Sequence, residues 1–572
     1  MECIKADVAI IGGGPGGSTC GAFLKKYEPS LEVLIIEREQ FPRDHVGESQ
    51  LPMIGSILDE IGAWDKVEAA GFPIKVGATY RWGNTDDLWD FHFVRNGEFK
   101  DEPRPGRYKG QRVSTAFQVD RAVYDQILLD HAESLGCKVL MGQSVQDIPN
   151  DRDTVQELRL SDGRTVKAKT YIDASGHAGI LRRKMGVGIE EPSSLRNIAI
   201  WDYWQNADWA VSVGVGGTRV QVMSLGYGWL WFIPLSATRT SIGLVCPADY
   251  YKASGLSPEA VYLRAIAEEP RISNLCVNAT RENILSTTKD WSFVAERMTG
   301  PNWYLVGEAL GFADPILAAG LTLTHTSAKE CALSILEESK GADPVWLRRQ
   351  YEDRNRRRVL QHIRFSDYWY VANDNFTALK EFTREIAKDA GLELDADKAF
   401  QWLGTGGFVE EDMGIGGLGS VDLLNLHQIS RRLSVNPSTV AIEGYNVFLL
   451  KLTGAEESIR ARYENGRVIP MRVLVRDNKV LPLAGLFGLI VSTLRDSPQA
   501  DHLIRNIRNA YAQANLPYSQ VTQEALFDCL EAMARDGWIK CKRTESIPGL
   551  SVGLTDGDSP SIATNRDPAR SI

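Results

Sequence analysis

The amino-acid sequence predicts an α/β protein with a Rossmann-like parallel sheet, an inserted antiparallel sheet, and a C-terminal helical and winged-helix-like region. Three observations support this fold class. A strand, a glycine-rich turn, a helix and a second strand follow one another at the N-terminus. Apolar strand-like segments separated by turns occupy about 75–110 and 190–285. A helical, aromatic-rich pattern begins at about residue 346.

These patterns divide the chain into four expected segments. With 572 residues, 43% of them hydrophobic, the chain is long enough to bury several cores. Residues 1–345 should hold both sheets and 346–465 should be helical. Residues 466–545 contain two hairpin signals, then helices and a short strand, which indicates a winged-helix-like module. The tail at 546–572 is rich in Ser, Pro, Gly and Asp and should be disordered.

The N-terminal βαβ unit has the spacing of a dinucleotide site. The strand ADVAIIG, at 6–12, leads into GGGPGG, so that Gly12, Gly14 and Gly17 satisfy G-x-G-x-x-G. Glu37 ends the second strand, where a carboxylate can accept a hydrogen bond from a ribose hydroxyl. Glycines allow backbone amides to approach a pyrophosphate at a helix N-terminus. We therefore expect a bound dinucleotide rather than a turn without a ligand.

Composition argues against several classes of partner. The net charge is −10 without a long basic run, which disfavours nucleic acid. The eight cysteines are scattered, with no C-x-x-C and no Cys/His cluster at zinc spacing, so we expect reduced thiols, a cytoplasmic protein and no metal site. The N-terminus has no basic leader pattern, and no apolar run reaches about 18 residues. The sequence therefore predicts no membrane association.

Four motifs in a fixed order carry a family resemblance. They are FPRDHVGESQLP at 41–52, FPIKVGATYRWG at 72–83, GWLWFIP at 228–234 and GFADPILAAG at 311–320. Together they resemble the flavin-dependent halogenases, in particular the chloramphenicol-type or carrier-protein-type branch of the FAD-dependent monooxygenase superfamily. The resemblance implies a fold like that of p-hydroxybenzoate hydroxylase for residues 1–345.

The resemblance also implies an activity. A flavin-dependent halogenase would use reduced FAD, O2 and chloride or bromide to halogenate an electron-rich small molecule in natural-product biosynthesis, and that substrate can be tethered to a carrier protein. A second strand–GxGxxG–helix unit for a nicotinamide cofactor does not occur in the sequence. We therefore expect a separate flavin reductase to supply the reduced flavin.

Five residues acquire substrate-side roles from the resemblance. Lys75 occupies the position of the family's essential lysine, whose ammonium would hold and aim hypohalous acid. Trp229 and Trp231 would belong to a wall between flavin chemistry and substrate chemistry, with Phe312 and Pro315 along the tunnel. The plainer alternatives are a surface lysine and two aromatic residues that only fill the core.

Further residues resemble the family's cofactor contacts. Asp173 has an equally good alternative as a helix N-cap. Beyond the glycines and Glu37, the positions implied to contact FAD are Arg43, Ser49, Arg121, Asp173, Asp290, Glu308, Asp314 and Gly320.

The sequence departs from the family pattern at three positions. Glu308 replaces an aspartate that binds the flavin ribityl hydroxyls, and Ala318 replaces a serine near the halide. Leu317 stands where tryptophan halogenases have a glutamate, which favours a phenol, a pyrrole or an enolisable group over free indole. Ala318 and Glu308 support the alternative of a halide-independent FAD-dependent monooxygenase or dehydrogenase. In a third reading, FAD is only a structural or sensing ligand and the winged module binds a partner.

Overall fold

The structure is a computed structural model, and it divides into two compact units. It describes residues 2–389 except 84, 95–98, 101 and 291, residues 442–545 except 478 and 519, and residues 548–550 and 562–564. The first unit comprises Met1–Gly391, Asn465–Val468 and Ala563–Ile572, and the second comprises Leu392–Glu464 and Ile469–Ile562.

The elements follow one another along the chain as expected for an α/β protein with an insertion. In the first part of the chain they are β1 (Cys3–Ile11), α1 (Pro15–Tyr27), β2 (Val33–Glu37), α2 (Met53–Ile61), α3 (Trp64–Ala69), β3 (Ile74–Arg81), β4 (Leu88–His92), β5 (Ala116–Phe117), α4 (Arg121–Ser134), β6 (Lys138–Met141), β7 (Val145–Asp147), β8 (Asn150–Asp151), β9 (Thr154–Val155), β10 (Leu158–Leu160), β11 (Thr165–Asp173), α5 (Ile180–Lys184), β12 (Ile189–Glu190), β13 (Asn197–Gln205), β14 (Gly217–Leu225), β15 (Gly228–Pro234) and β16 (Arg239–Pro247). They continue with α6 (Ala248–Ser254), α7 (Pro258–Glu268), α8 (Pro270–Leu275), β17 (Thr280–Arg281), β18 (Ser286–Asp290), β19 (Phe293–Ala295), β20 (Thr299–Gly300), β21 (Trp303–Leu305), β22 (Gly311–Phe312), α9 (Gly320–Ser339), α10 (Pro344–Val371) and α11 (Lys380–Asp389). The later elements are β23 (Val447–Leu450), β24 (Glu456–Glu464), β25 (Arg467–Arg476), β26 (Lys479–Pro482), α12 (Gly485–Asp496), α13 (Ala500–Gln513), α14 (Gln520–Arg535), β27 (Ile539–Lys542) and β28 (Ile562–Thr564).

The predicted parallel sheet is present. Strands β21, β11, β1, β2 and β6 are neighbours in that order and are parallel to one another. Strand β2 is buried along its whole length, as its unbroken apolar sequence requires when both faces of the sheet are covered. The βαβ unit read from the sequence is therefore confirmed, and the turn between β1 and α1 lies at the carboxyl edge of the sheet.

Helices α1, α4 and α9 are joined by a buried histidine. His325 of α9 hydrogen-bonds through Nδ1 to Thr19 of α1 and through Nε2 to Tyr124 of α4, both at 2.8 Å. Burial lowers the pKa of His325 to about 3, so that the ring is neutral at ordinary pH. The neutral imidazole fixes the three helices to one another without a buried charge.

The inserted sheet is also present, but it is mixed rather than wholly antiparallel: β14 and β3 are parallel, whereas β13–β16, β15–β16, β14–β15 and β3–β4 are antiparallel. Its strand order is β17-β13-β16-β15-β14-β3-β4-β28, with β18 on β13 and β5 on β3. One face packs against α7, where Leu230 and Phe232 of β15 share an apolar cluster with Tyr262 of the helix. Because side chains alternate along a strand, Trp229 and Trp231 of β15 lie on the opposite face.

The described residues of the second unit form two small sheets and three helices. Strands β23 and β27 form an antiparallel ribbon, and β24, β25 and β26 form a second sheet. Helices α12, α13 and α14 contribute Ile490, Leu503 and Leu530 to one apolar cluster, together with residues such as Phe448 and Trp538. The assignment of 466–545 as a winged-helix-like module stays a prediction.

The described residues locate the other expected segments. Of the expected helical region at 346–465, helices α10 and α11 occupy the first part and strands β23 and β24 lie within 447–464. Residues 390–441, and most of the tail predicted at 546–572, lie outside the described residues; Ile562–Thr564 of that tail form β28. In the part of the chain that is described, no helix is both long and apolar enough to cross a membrane.

Candidate active site

The turn between β1 and α1, residues 12–17, is called the glycine turn below. Gly12 has a φ of +106°, and a Cβ there would lie 2.3 Å from the carbonyl oxygen of Ala174. A Cβ at Gly17 would lie 1.9 Å from the carbonyl oxygen of Gly12. A Cβ at Gly14 would instead meet, among the described side chains, only Nη2 of Arg43, at 3.4 Å. The turn thus leaves open the space above Gly14, where a pyrophosphate would approach the N-terminus of α1.

Glu37 lies beside this turn, as the spacing predicts. Its carboxylate is buried and accepts hydrogen bonds from the backbone N–H groups of Gly13 at 2.7 Å and Glu39 at 2.8 Å. These bonds fix its orientation, and a carboxylate has further lone pairs with which to accept from a ribose hydroxyl. The observed geometry fits the adenosine end of a dinucleotide.

Two arginines and one aspartate lie next to the glycine turn. Arg121 makes a two-point ion pair with Asp125, and Nη1 of Arg43 lies 3.4 Å from the same carboxylate. Arg121 also donates to the carbonyl oxygens of Val46 and Gly47. The sequence pattern identified Arg43 and Arg121, whereas Asp125 was missed because no motif includes it.

Ser49 lies beside Gln118, three residues before Arg121. Its backbone forms an isolated bridge with Gln118, which places the two motif segments side by side. The Ser49 hydroxyl is buried, and no residue in the described part of the chain forms a hydrogen bond with it. A buried hydroxyl without a protein partner fits a residue that contacts a bound cofactor.

Asp173 is buried at the end of β11. One carboxylate oxygen accepts from the N–H and hydroxyl of Ser175, and the other accepts from the N–H of Arg182 in α5. The residue at the N-cap of α5 is Gly179, so Asp173 is not the N-cap that the alternative interpretation expected. Burial raises the pKa of the Asp173 carboxyl.

Glu308 and Asp290 are placed by their backbones. Glu308 lies in a 3-10 turn after β21 and is half-buried; burial raises the pKa of its carboxyl. A Cβ at Gly176 would lie 3.9 Å from its Oε2, so the turn that follows β11 faces it. Asp290 ends β18 and is paired with Asn197 of β13.

Trp229 and Trp231, together with Trp82 and Tyr370, form an aromatic layer that we call the tryptophan wall. The two rings of β15 lie 6.1 Å apart, and Trp82 is in edge contact with Trp229 at 6.4 Å and with Tyr370 at 5.9 Å. Opposite Trp231 on β16 stands Gly243, where a Cβ would lie 2.1 Å from the indole ring. The sheet therefore makes room for this indole.

A hydrogen-bond network connects the wall to the loop before α9. Trp229 donates to the Tyr370 hydroxyl at 2.7 Å, and that hydroxyl donates to Asp314 at 3.1 Å. Asn197 also donates to Asp314, and burial raises the pKa of that carboxyl to about 6. Asp314 thus supports the wall. The sequence showed Tyr370 only as one of several aromatic residues in a helix, because no spacing relates position 370 to 229 or 314.

Lys75 is buried on the same face of the sheet as the tryptophan wall. A β-bulge pairs Thr218 with Lys75 and Arg219 with Gly77, which turns Lys75 away from the face that α7 covers. Its Nζ donates to the carbonyl oxygen of Gln50 at 3.0 Å and lies 5.2 Å from the Phe93 ring centre. Among the described residues it has no ion pair with a carboxylate. Burial lowers the pKa of Lys75 to about 7. The surface-lysine alternative is therefore wrong.

Glu48 is a further buried acid, which belongs to the motif FPRDHVGESQLP but received no site role from the sequence. It is only 2% exposed, and burial raises its pKa to about 7, while the nearby hydroxyls of Tyr203 and Ser241 and the charge of Arg121 act in the opposite direction. Trp231 donates to the same Ser241 hydroxyl at 3.1 Å. Glu48 thus lies between the arginines beside the glycine turn and the tryptophan wall.

The loop before α9 contains the remaining predicted residues. Ala318 has a φ of +53° and Ala319 returns to the right-handed helical region, a sequence of conformations that turns successive N–H groups inward. The Ala318 N–H donates to the carbonyl oxygen of Pro315, whereas Ala319 and Gly320 stand at the start of α9, where N–H groups have no helical acceptor. The half-buried ring of Phe312 is 3.9 Å from a Cβ at Gly320.

Sequence comparisons identify similar proteins. A family model described as tryptophan halogenase matches residues 7–103 and 94–379. A 1H-pyrrole-2-carbonyl peptidyl-carrier-protein chlorinase from Pseudomonas fluorescens is 30% identical over 392 residues, covering 66% of this chain and 86% of the relative. A tryptophan 2-halogenase from Chondromyces crocatus is 31% identical, covering 57% of this chain but only 60% of the relative.

Solved structures give the same result for the fold. The flavin-dependent halogenase CmlS matches with a TM-score of 0.73 and 24% identity over 96% of this chain and 98% of that one. The myxobacterial chondrochloren halogenase CndH, described as a variant of FAD-dependent halogenases, matches with a TM-score of 0.59 and 29% identity over 68% of this chain and 91% of that one.

Proposed function

Because the chain belongs to the tryptophan halogenase family, whose members here are flavin-dependent halogenases, we propose that it halogenates an electron-rich small molecule with reduced FAD, O2 and chloride or bromide. The observation that carries the proposal is Lys75, a buried lysine without a carboxylate partner among the described residues, on the sheet face of the tryptophan wall. The product would belong to natural-product biosynthesis.

FAD fits the residues that are present. The space above Gly14 would take the diphosphate, Glu37 the adenosine ribose, and Arg43, Ser49 and Arg121 the region between the turn and the flavin. Reduced FAD would supply the electrons with which O2 and halide yield hypohalous acid. The further contacts that we propose are Gly12, Gly17, Asp173, Asp290, Glu308, Asp314 and Gly320.

Backbone groups would hold the halide. The N–H groups of Ala319 and Gly320 begin a helix of 20 residues, whose dipole favours an anion at this end. Ala318 has no hydroxyl to contribute, but its left-handed conformation orients the two N–H groups that follow. We therefore propose that the serine hydroxyl of the family pattern is dispensable in this chain.

Lys75 would hold and aim the hypohalous acid. An ammonium with three donors uses one for the Gln50 carbonyl, so donors remain for the halogenating species. A pKa near 7 also makes the neutral amine available at working pH. The tryptophan wall, with Phe312 and Pro315 beside it, would keep flavin and substrate apart.

The substrate would be a phenol, a pyrrole or an enolisable compound. Leu317 gives no carboxylate for an indole N–H, and the wall is aromatic. The chlorinase relative acts, by its name, on a pyrrole-2-carbonyl group held on a peptidyl carrier protein, which supports a carrier-bound substrate here. We also propose that a separate flavin reductase supplies the reduced FAD. We propose a cytoplasmic location because the eight cysteines are free, as is usual for proteins in a reducing compartment.

One test decides between this activity and its alternative. The protein is supplied with reduced FAD, O2 and chloride, bromide or neither, and with two probes: a free phenol and a pyrrole-2-carbonyl group loaded on a peptidyl carrier protein. We expect products with a chlorine or bromine isotope pattern and none without halide. An oxygenated or desaturated product in halide-free buffer would instead establish the monooxygenase or dehydrogenase, which the missing hydroxyl at Ala318 favours.

A further inference from the structure

Asp125 is a buried carboxylate shared by two arginines. It lies one turn after Arg121 on α4 and is fully buried. Its Oδ1 accepts from Nε of Arg121 at 2.7 Å and its Oδ2 from Nη2 at 2.9 Å, a two-point pair that fixes both planar groups. The same Oδ2 lies 3.4 Å from Nη1 of Arg43, which comes from a different segment of the chain.

Arg43 borders the open side of the glycine turn. Among the described residues other than its chain neighbours, Nη2 of Arg43 is the heavy atom within 4 Å of a Cβ built on Gly14, at 3.4 Å. The guanidinium also lies 4.7 Å from the Phe41 ring centre, and the side chain is 21% exposed. A diphosphate that passes Gly14 must therefore pass Arg43. Because Asp125 faces Nη1, the donors of Nη2 remain available for that diphosphate.

We propose that Asp125 is a positioning residue for cofactor binding: it orients Arg43 toward the diphosphate without touching the ligand. Asp125 also orients Arg121, which donates to the carbonyl oxygens of Val46 and Gly47. These hydrogen bonds hold the segment after Arg43 against α4. The inference rests on the proposed function only in requiring a dinucleotide at the glycine turn. It does not depend on halogenation.

The sign of a measured effect separates positioning from charge alone. Asp125 places a negative charge near the site of an anionic ligand. If this charge were its whole influence, Asp125→Asn would strengthen diphosphate binding, because unlike charges attract and like charges repel. If Asp125 positions Arg43, the same substitution weakens binding despite the gain in positive charge.

The experiment compares FAD, ADP and adenosine. Flavin fluorescence gives the affinity for FAD. Competition against FAD gives the affinities for ADP and for adenosine, which has no phosphate. Flavin that precipitates with acid-denatured protein is covalently attached, so it is counted separately from reversibly bound flavin. We expect Asp125→Asn to weaken FAD and ADP binding about tenfold and to leave adenosine nearly unchanged. Asp130→Asn, an exposed change on the same helix, is the matched control.

A double-mutant cycle tests whether Asp125 acts through Arg43. Arg43→Gln should weaken ADP binding by itself, and adding Asp125→Asn should cause little further loss, because both changes remove the same interaction. Unchanged or tighter ADP binding in Asp125→Asn, equal losses for ADP and adenosine, or fully additive effects would each overturn the proposal. If Asp125→Asn does not fold, Asp125→Glu replaces it. This variant keeps the negative charge but moves it by one methylene, and we expect the same loss of affinity for FAD and ADP. No arm uses a halide or a product, so failure of the halogenase assignment leaves this readout intact.

Discussion

The glycine turn and the tryptophan wall belong to the same unit but are built in opposite ways. The turn takes its shape from backbone atoms close in sequence, since a Cβ at Gly17 would lie 1.9 Å from the carbonyl oxygen of Gly12. The wall takes its shape from side chains that come from distant parts of the chain, among them Trp82, Trp229 and Tyr370. A local motif can therefore specify the first region, whereas only the folded chain assembles the second.

This difference means that the two regions should fail in different ways. A side chain added to the turn occupies the space of the ligand, so binding should be lost while the rest of the molecule is kept. A side chain removed from the wall breaks hydrogen bonds or aromatic contacts, so product formation and stability should change while the flavin stays bound. The four predictions below use this contrast, in order of decreasing effect.

Gly14→Val should abolish FAD binding. The backbone of Gly14 has a φ of −67°, which any residue can adopt. In the described part of the chain a Cβ there meets only Arg43, so the protein itself should tolerate the change. The valine methyl groups would lie in the path of the diphosphate. Flavin content and the melting temperature of the flavin-free protein are measured together. Full flavin occupancy in this variant would refute the assignment of the glycine turn.

Lys75→Met should uncouple flavin oxidation from product. We expect product to fall by about a hundredfold or more, because the variant cannot hold the halogenating species. Reduced FAD and O2 should still be consumed within about twofold of the wild-type rate, since Lys75 contacts neither the glycine turn nor its arginines in this structure. Lys252→Met, at an exposed lysine, is the control. Equal loss of both activities would remove Lys75 from its proposed role.

The same variant should reveal the buried charge through the pH dependence of stability. The folded-state pKa of Lys75 is lowered from 10.5 to about 7. Below pH 7 the buried ammonium therefore lowers the free energy of unfolding of the wild type by its full amount. This destabilisation decreases as the pH rises from 7 toward 10.5, because the folded protein is then deprotonated at Lys75 while the unfolded chain is still protonated. The stability advantage of Lys75→Met over wild type should shrink by about 2 kcal/mol between pH 7 and pH 9. A difference that stays constant with pH in denaturant titrations would contradict the shifted pKa.

Tyr370→Phe should have the smallest effect, a loss of about 1 kcal/mol of stability. The substitution removes the hydroxyl that accepts a hydrogen bond from the Trp229 N–H and donates one to the Asp314 carboxylate. Tyr262→Phe is closely matched, because the Tyr262 hydroxyl also accepts from an indole, that of Trp204, on the other face of the sheet. Both variants should lose stability, but only Tyr370→Phe should lower the amount of product formed per reduced flavin oxidised. Identical behaviour of the two would mean that the tryptophan wall only fills the core.

The sequence by itself determined the α/β fold class, the βαβ unit and the alternation of the antiparallel sheet. The glycine turn with Glu37 was equally readable, because its parts are linked by short, regular spacing and by the steric demands of backbone atoms. The resemblance of four ordered motifs added Lys75 and the two tryptophans of β15. Each of these features depends on residues that are close together in the chain or on a motif that can be recognised in the amino-acid sequence.

Only the tertiary structure decided how these residues meet. A β-bulge at Lys75, which a strand pattern does not show, turns the lysine to the same face as Trp231. Asp125 and Tyr370 became recognisable only when folding brought Arg43 and Trp229 beside them. The physical reason is that hydrogen bonds and buried ion pairs act over a few ångströms in space, and contacts between residues far apart in the chain leave no spacing in the sequence.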